Sequence, residues 1–144
     1  MQPNYVIELP NDLCAIEEPV AYLIHRASEA GFDENRLRLN LRVGLSEALT
    51  NAILYGNCRD PRKRVRIEAQ VGPGEVTVRV TDEGHGFDPC CLDDPTEPDN
   101  RRRERGRGIF LIRQMMDYVE FNDTGNSVTM VLLNPAPVEN GATT

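Results

Sequence analysis

No apolar run in this 144-residue chain approaches the ~20 residues that a bilayer-spanning helix needs, so the sequence holds no membrane span of that kind. The first residues, MQPNYVIELP, lack both a basic n-region and a long apolar core. A secretory signal is therefore not expected, and the cytoplasm is the expected compartment. An excess of positive charge is also missing. The net charge is −7 and the sequence pI is near 4.8, which argues against a direct nucleic-acid binder whose affinity rests on neutralising phosphates. Cys14, Cys58, Cys90 and Cys91 form no CxxC pair and have no histidine at ligand spacing, so no zinc site is expected. The adjacent Cys90 and Cys91 read as reduced thiols in a cytosolic loop. Internal repeats are absent, as are a GxxxxGK[ST] loop and a GxGxxG turn after the first strand.

What remains is an ordinary globular composition, with 40% hydrophobic and 27% charged residues, in a length that suits one domain with its own core. Tyr5 to Leu9 reads as a short strand ended by Pro10. Val20, Leu23, Ile24 and Ala27 recur at helical spacing between about Ile16 and Ala30, and Gly31 supplies the stop. Asp33 is the expected N-cap of a second helix, whose stripe of Leu37, Leu41, Leu45, Ala48 and Ala52 runs to about Tyr55. Val65 to Val71 and Val76 to Val80 alternate as two strands around the turn Gly72-Pro73-Gly74. The stretch from Gly84 to about Gly106 is polar and reads as a long loop of the functional kind. Gly108 opens a third helix carrying Ile109, Ile112 and Met116. Tyr118 to Phe121 and Ser127 to Leu133 are strands joined by Asp123-Thr124-Gly125-Asn126. The expectation is one domain over residues 1–133 with a frayed tail over 134–144. Its class is α+β: a two-layer sandwich in which helices cover one face of a mostly antiparallel mixed sheet.

Three separated segments carry candidate chemistry. Glu47 and Asn51, in LSEALTNAILYGN, are four residues apart on a helix and project from one face. An Asn oxygen can ligate Mg²⁺, and a nearby Glu can accept a proton from an attacking hydroxyl or water. In VTDEGHGFDP, counting by twos from Val76, Val78 and Val80 turns Asp82 inward, where a carboxylate needs a donor such as an adenine amino group. An ordinary Asx turn is the other reading of Asp82. Gly84 and Gly86 let the chain turn sharply beside a flat ring. In RGRGIFLI, Gly106, Arg107 and Gly108 precede the expected helix, whose free N–H groups can receive an anion; a flexible hinge is the alternative. His25 reads as a packing or surface histidine, and His85, inside the glycine turn, has no evident partner.

With these three segments the chain resembles the GHKL ATPase superfamily of gyrase-, MutL- and histidine-kinase-type ATP sites. Within it the likeness is to the anti-sigma-factor serine kinases of bacterial partner switching, the RsbW/SpoIIAB-like proteins. SEALTNAILYGN resembles their N box, TDEGHGFDP their first glycine box and RGRGIFLIRQMMDYVEF their second. The resemblance implies that Glu47 is the catalytic base, Asn51 the Mg²⁺ ligand and Asp82 the adenine-binding carboxylate. Gly84 and Gly86 would shape the base pocket, and Gly106 and Gly108 would line the phosphates of ATP. Residues from about Cys90 to Arg105 would form a lid, with Arg105 a charge partner for phosphate. Glu47 stands where histidine kinases commonly have Asn, which favours a stand-alone serine/threonine kinase. Its implied partners are a STAS-domain antagonist and a sigma factor, with a homodimer also possible on the apolar helix faces. The alternatives are an ATP-gated binding module with little catalysis and a simple ATPase.

Overall fold

The computed structural model describes residues 1–84 and 99–135, the second stretch with side chains from residue 106 onward. Strand β1 (Tyr5–Pro10) alternates, with Leu9 buried while Val6 and Glu8 face solvent. The Asp12 carboxylate accepts from the Cys14 amide at 2.9 Å and caps a short 3₁₀ turn, Leu13–Ala15, that the sequence reading did not contain. Helix α1 (Glu17–Glu29) follows, with Glu17 and Glu18 at its positive end and Val20, Leu23 and Ala27 as its buried stripe. Gly31 ends it at φ +92°, a left-handed turn that suits glycine.

Asp33 caps the next helical run as expected, its carboxylate accepting from the Arg36 amide at 3.0 Å. The run is wound in three parts. A π-helical segment, Arg36–Leu41, leads into helix α2 (Arg42–Asn51), and a second, Ala52–Gly56, follows it. Wider π turns are rare and tend to occur near functional sites. The apolar stripe survives them: Leu37, Leu41, Leu45, Ala48, Leu49 and Ala52 are all buried.

Strands β2 (Arg64–Val71) and β3 (Glu75–Thr81) form a hairpin closed by the Gly72 amide on the Glu75 carbonyl at 3.0 Å. Helix α3 (Asp99–Met115) precedes β4 (Tyr118–Phe121) and β5 (Ser127–Leu133). The turn between those strands passes through Gly125 at φ +78°. The sheet order is β1-β2-β3-β5-β4, and all four described pairings are antiparallel, so no parallel pair occurs among the described strands. This is the expected α+β sandwich. Ile67, Val78, Met130 and their in-phase neighbours face Leu23, Leu45 and Leu49 in one continuous core. The other sheet face is polar, with Arg66 near Glu8 (3.6 Å) and Glu68 (3.8 Å), and Arg79 near Glu68 (3.6 Å). Such solvated pairs contribute little to stability.

Two expectations about the chain need correction. The long loop read from Gly84 to Gly106 does not extend that far, because α3 begins at Asp99. Arg and Glu dominate 101–105 and are good helix formers, so the helix propagates through Gly106 and Gly108 although each glycine costs about 1 kcal/mol. Cys58 is disulfide-bonded, whereas the sequence reading has no pairing. Spacing along a chain does not report which thiols the fold brings together. Asn134, the expected start of the tail, is tied down: its amide donates to the Gly74 carbonyl at 2.9 Å and its Nδ2 to the Pro73 carbonyl at 2.7 Å. No helix among the described residues is long and apolar enough to cross a membrane.

Candidate functional site

Helix α2 presents Glu47 and Asn51 half-buried on one face, as their spacing predicts. Helix α3 lies directly over them. A Cβ built on Gly108 would stand 3.1 Å from Glu47 Oε2, 3.1 Å from Asn51 Oδ1 and 3.2 Å from Asn51 Nδ2. A carboxylate oxygen and an amide oxygen thus both approach Gly108, the glycine of α3 that faces α2. Toward the N-terminal end of α2, a Cβ on Gly44 would stand 2.9 Å from Sδ of Met116, the residue after α3, so the chain is closely packed there as well.

Gly106 and Gly108 therefore act differently from the sequence reading. Both lie inside α3, so neither marks the open N-terminus of a helix with free N–H groups. Gly108 is buried, and its bareness allows the helix to approach Glu47 and Asn51. Gly106 and Arg107 are exposed, and a Cβ on Gly106 would meet nothing within 4 Å. Arg105 belongs to α3, with its side chain outside the described residues. Gly86, His85, Cys90, Cys91 and the expected lid as far as residue 98 also lie outside them. His25 is on the surface of α1, 3.5 Å from Glu29.

Asp82 follows the last residue of β3 and is 8% exposed, so the inward reading holds. The Asx reading holds too, because its Oδ1 accepts from the Gly84 amide at 2.8 Å. Two glycines make this packing possible. A Cβ on Gly56 would fall 2.1 Å from Asp82 Oδ2, and one on Gly84 would fall 1.9 Å from the Gly56 carbonyl oxygen. The C-terminal end of the α2 run and the start of the first glycine segment are therefore in backbone contact.

Between Asn51 and Asp82 lies a small cleft that both residues line. Ala52, Gly56, Ile109 and Phe121 line it along with those two residues. Gly125 and Asn126, which the sequence reads only as turn residues, also line it, with Ser127 at the start of the last strand. Asn126 takes the Asp82 amide on its carbonyl at 2.9 Å, and its Nδ2 reaches the Asp82 carbonyl at 3.5 Å. The pairing of Thr81 with Ser127 puts this turn beside Asp82, a long-range register that no local pattern announces.

Asn51 Oδ1 is a hard oxygen donor of the kind that fits Mg²⁺, which takes one or two protein oxygens and keeps several waters, and Glu47 Oε2 lies beside the same Gly108 position. Asp82, also lining the cleft, carries a carboxylate that suits a neutral donor group.

Residues 10–132 match the histidine kinase-like ATPase domain. The chain belongs to that family. Its sequence is similar to serine-protein kinase RsbW of Listeria monocytogenes, with 32% identity over 124 residues that cover 81% of this chain and 78% of the relative. The protein of the same name from Listeria innocua is 31% identical over 127 residues, covering 81% and 78%. Anti-sigma F factor of Clostridium perfringens is 32% identical over 98 residues, covering 65% of this chain and 69% of that protein. The RsbW/SpoIIAB-like resemblance carried by the three segments thus has support from comparisons that cover most of the chain.

Proposed function

We propose that this protein is an ATP-dependent protein serine/threonine kinase of a bacterial partner-switching system. Its substrate class is a STAS-domain antagonist, and it holds either a sigma factor or the unphosphorylated antagonist, the two partners being mutually exclusive. The observation that carries the reading is the convergence of Glu47 Oε2 and Asn51 Oδ1 at Gly108, across a cleft from the buried Asp82. In this reading Asp82 accepts from the adenine amino group, and Gly84 and Gly56 let its carboxylate pack against the end of the α2 run. Asn51 holds Mg²⁺, which would neutralise phosphate charge when bound. Glu47 orients the acceptor hydroxyl and takes its proton as the serine oxygen bonds to the γ-phosphorus and ADP leaves. Positioning and electrostatics are most of what phosphoryl transfer asks of a protein.

The names of the relatives, a serine-protein kinase and an anti-sigma factor, support both halves of this reading. Recovery of bound proteins from the source cell with Mg·ATP, followed by a phosphotransfer assay on what is recovered, tests it. Phosphate should appear on serine or threonine of a small antagonist, and Glu47→Gln should abolish transfer while ATP still binds. Normal ATP binding with no phosphorylated protein would leave an ATP-gated binding module. ADP formation without any acceptor protein would indicate a simple ATPase.

A further inference from the structure

Asn57 has no place in the chemistry above, yet it is fully buried, and its side-chain amide is spent entirely on other segments. Its Nδ2 donates to Asn11 Oδ1 at 3.0 Å and to the Arg64 carbonyl at 3.0 Å. Its Oδ1 accepts from the Glu83 amide at 2.8 Å. Its own backbone amide donates to the Ala52 carbonyl at 2.8 Å, and its carbonyl accepts from the Asp60 amide at 2.9 Å. One residue thus ties the end of the α2 run to the loop after β1, to the first residue of β2 and to the segment that carries Asp82.

The bond to Glu83 completes a series. The Asp82 amide is held by the Asn126 carbonyl, the Glu83 amide by Asn57 and the Gly84 amide by Asp82 itself. Three successive backbone amides are fixed, each by a different element. Asp82 Oδ1 is held within this series by the Gly84 amide, and Asp82 Oδ2 lies against Gly56, the neighbour of Asn57. The middle anchor of the three comes from a side chain, so it can be removed without altering the backbone. A partly buried donor that loses its acceptor tends to move toward water, and moving Glu83 swings the carboxylate that precedes it.

We infer that Asn57 is a positioning residue for base recognition: by holding the Glu83 amide it fixes Asp82 and Gly84 against Gly56, so that the cleft prefers adenine over guanine nucleotides. This rests on the nucleotide reading of the cleft. Adenine offers an amino donor where guanine presents a carbonyl, so discrimination depends on where the Asp82 oxygens sit.

The test is the affinity of the full-length protein for ATP and for GTP, with melting temperature recorded for each variant. Asn57→Ala removes the acceptor and should reduce the ATP-over-GTP preference about tenfold. Asn57→Asp keeps an oxygen for Glu83 while losing both donors, and should retain most of the preference despite lower stability. Asn11→Ala removes only the far end of the network and should lower the melting temperature with the preference unchanged. A purely structural role predicts lost stability and unchanged preference in all three, and that result overturns the inference. Should Asn57→Ala not fold, hydrogen exchange in the unaltered protein decides. The Glu83 amide should exchange as slowly as the β3 core, and exchange at the rate of an open loop overturns the inference. A wild-type protein that binds no ATP would instead sink the nucleotide reading itself.

Discussion

Gly108 on α3 faces Asn51 on α2 so closely that a methyl group on the glycine would sit 3.1 Å from the amide oxygen, and equally close to Glu47 Oε2. The two residues belong to the second glycine segment and the N box, 57 positions apart in sequence. Their contact makes the helix crossing part of the site: whatever occupies the Glu47–Asn51 oxygens does so beside the α3 backbone.

Gly108→Ala should therefore separate stability from activity. Replacing a helix-interior glycine with alanine is worth about 1 kcal/mol in helix propensity. The added methyl displaces two side-chain ends by only a few tenths of an ångström, so the fold should be as stable as the parent or more so. Phosphotransfer should fall by about tenfold, because a small misplacement of catalytic groups carries a large cost in rate. A thermal melt beside a transfer assay checks both. A stabilised variant with parental turnover would show that the Glu47–Asn51 pair is not at the reaction centre.

Gly56 and Gly44 should respond in opposite ways to the same substitution. At Gly44 the new methyl meets Met116 Sδ, a flexible thioether, and alanine again favours the helix, so Gly44→Ala should change stability by less than about 1 kcal/mol. At Gly56 the methyl would lie 2.1 Å from Asp82 Oδ2, and the buried carboxylate has little room to move. Gly56→Ala should cost about 1–3 kcal/mol as overpacking and weaken ATP binding as well. Denaturant melts with a nucleotide titration distinguish the two.

How much of this could be read in advance varies with range. Asp33 as a cap, Gly31 as a stop, the stripe of Leu37, Leu41 and Leu45 and the inward turn of Asp82 are local patterns, and all appear in the structure. The start of α3 is hidden because the glycines at 106 and 108 look like a helix boundary, while the Arg-rich residues before them favour the helix. Glycine at 108 answers to a neighbour across the helix interface, a demand that its own flanking residues do not encode. Asn126 and Asn57 went unread for a similar reason. Each is an ordinary turn or helix-end residue until strand register and burial bring it to Asp82 and Glu83.

Ile112 joins the core to the cleft, being 1% exposed and one of the lining residues. Ile112→Ala should destabilise the protein by about 2–5 kcal/mol, since the surrounding β-sheet and α2 can collapse only partly into the space. A Val substitution should cost about 0.5–1.5 kcal/mol. Chemical denaturation measures both, and an alanine variant as stable as the valine one would mean that the α3 contact with the sheet is looser than it stands here.

Asp82→Asn is the sharpest test of the base-reading end because it changes charge and donor character with almost no change of shape. The Gly84 amide can still be accepted by the Asn Oδ1, so the Asx turn and the packing against Gly56 should persist. The position of Asp82 Oδ2, however, would become an NH₂ donor facing the region where an adenine amino group also donates. Two donors cannot pair, and a buried polar group left unmatched costs about 1–3 kcal/mol. ATP affinity should therefore drop by about tenfold or more while the melting temperature without nucleotide stays near the parental value. Calorimetric titration with ATP and a melt without it provide the two readings. Unchanged affinity in a folded variant would move base recognition away from Asp82, while loss of the fold would mean that the carboxylate charge is needed by the backbone amides around it.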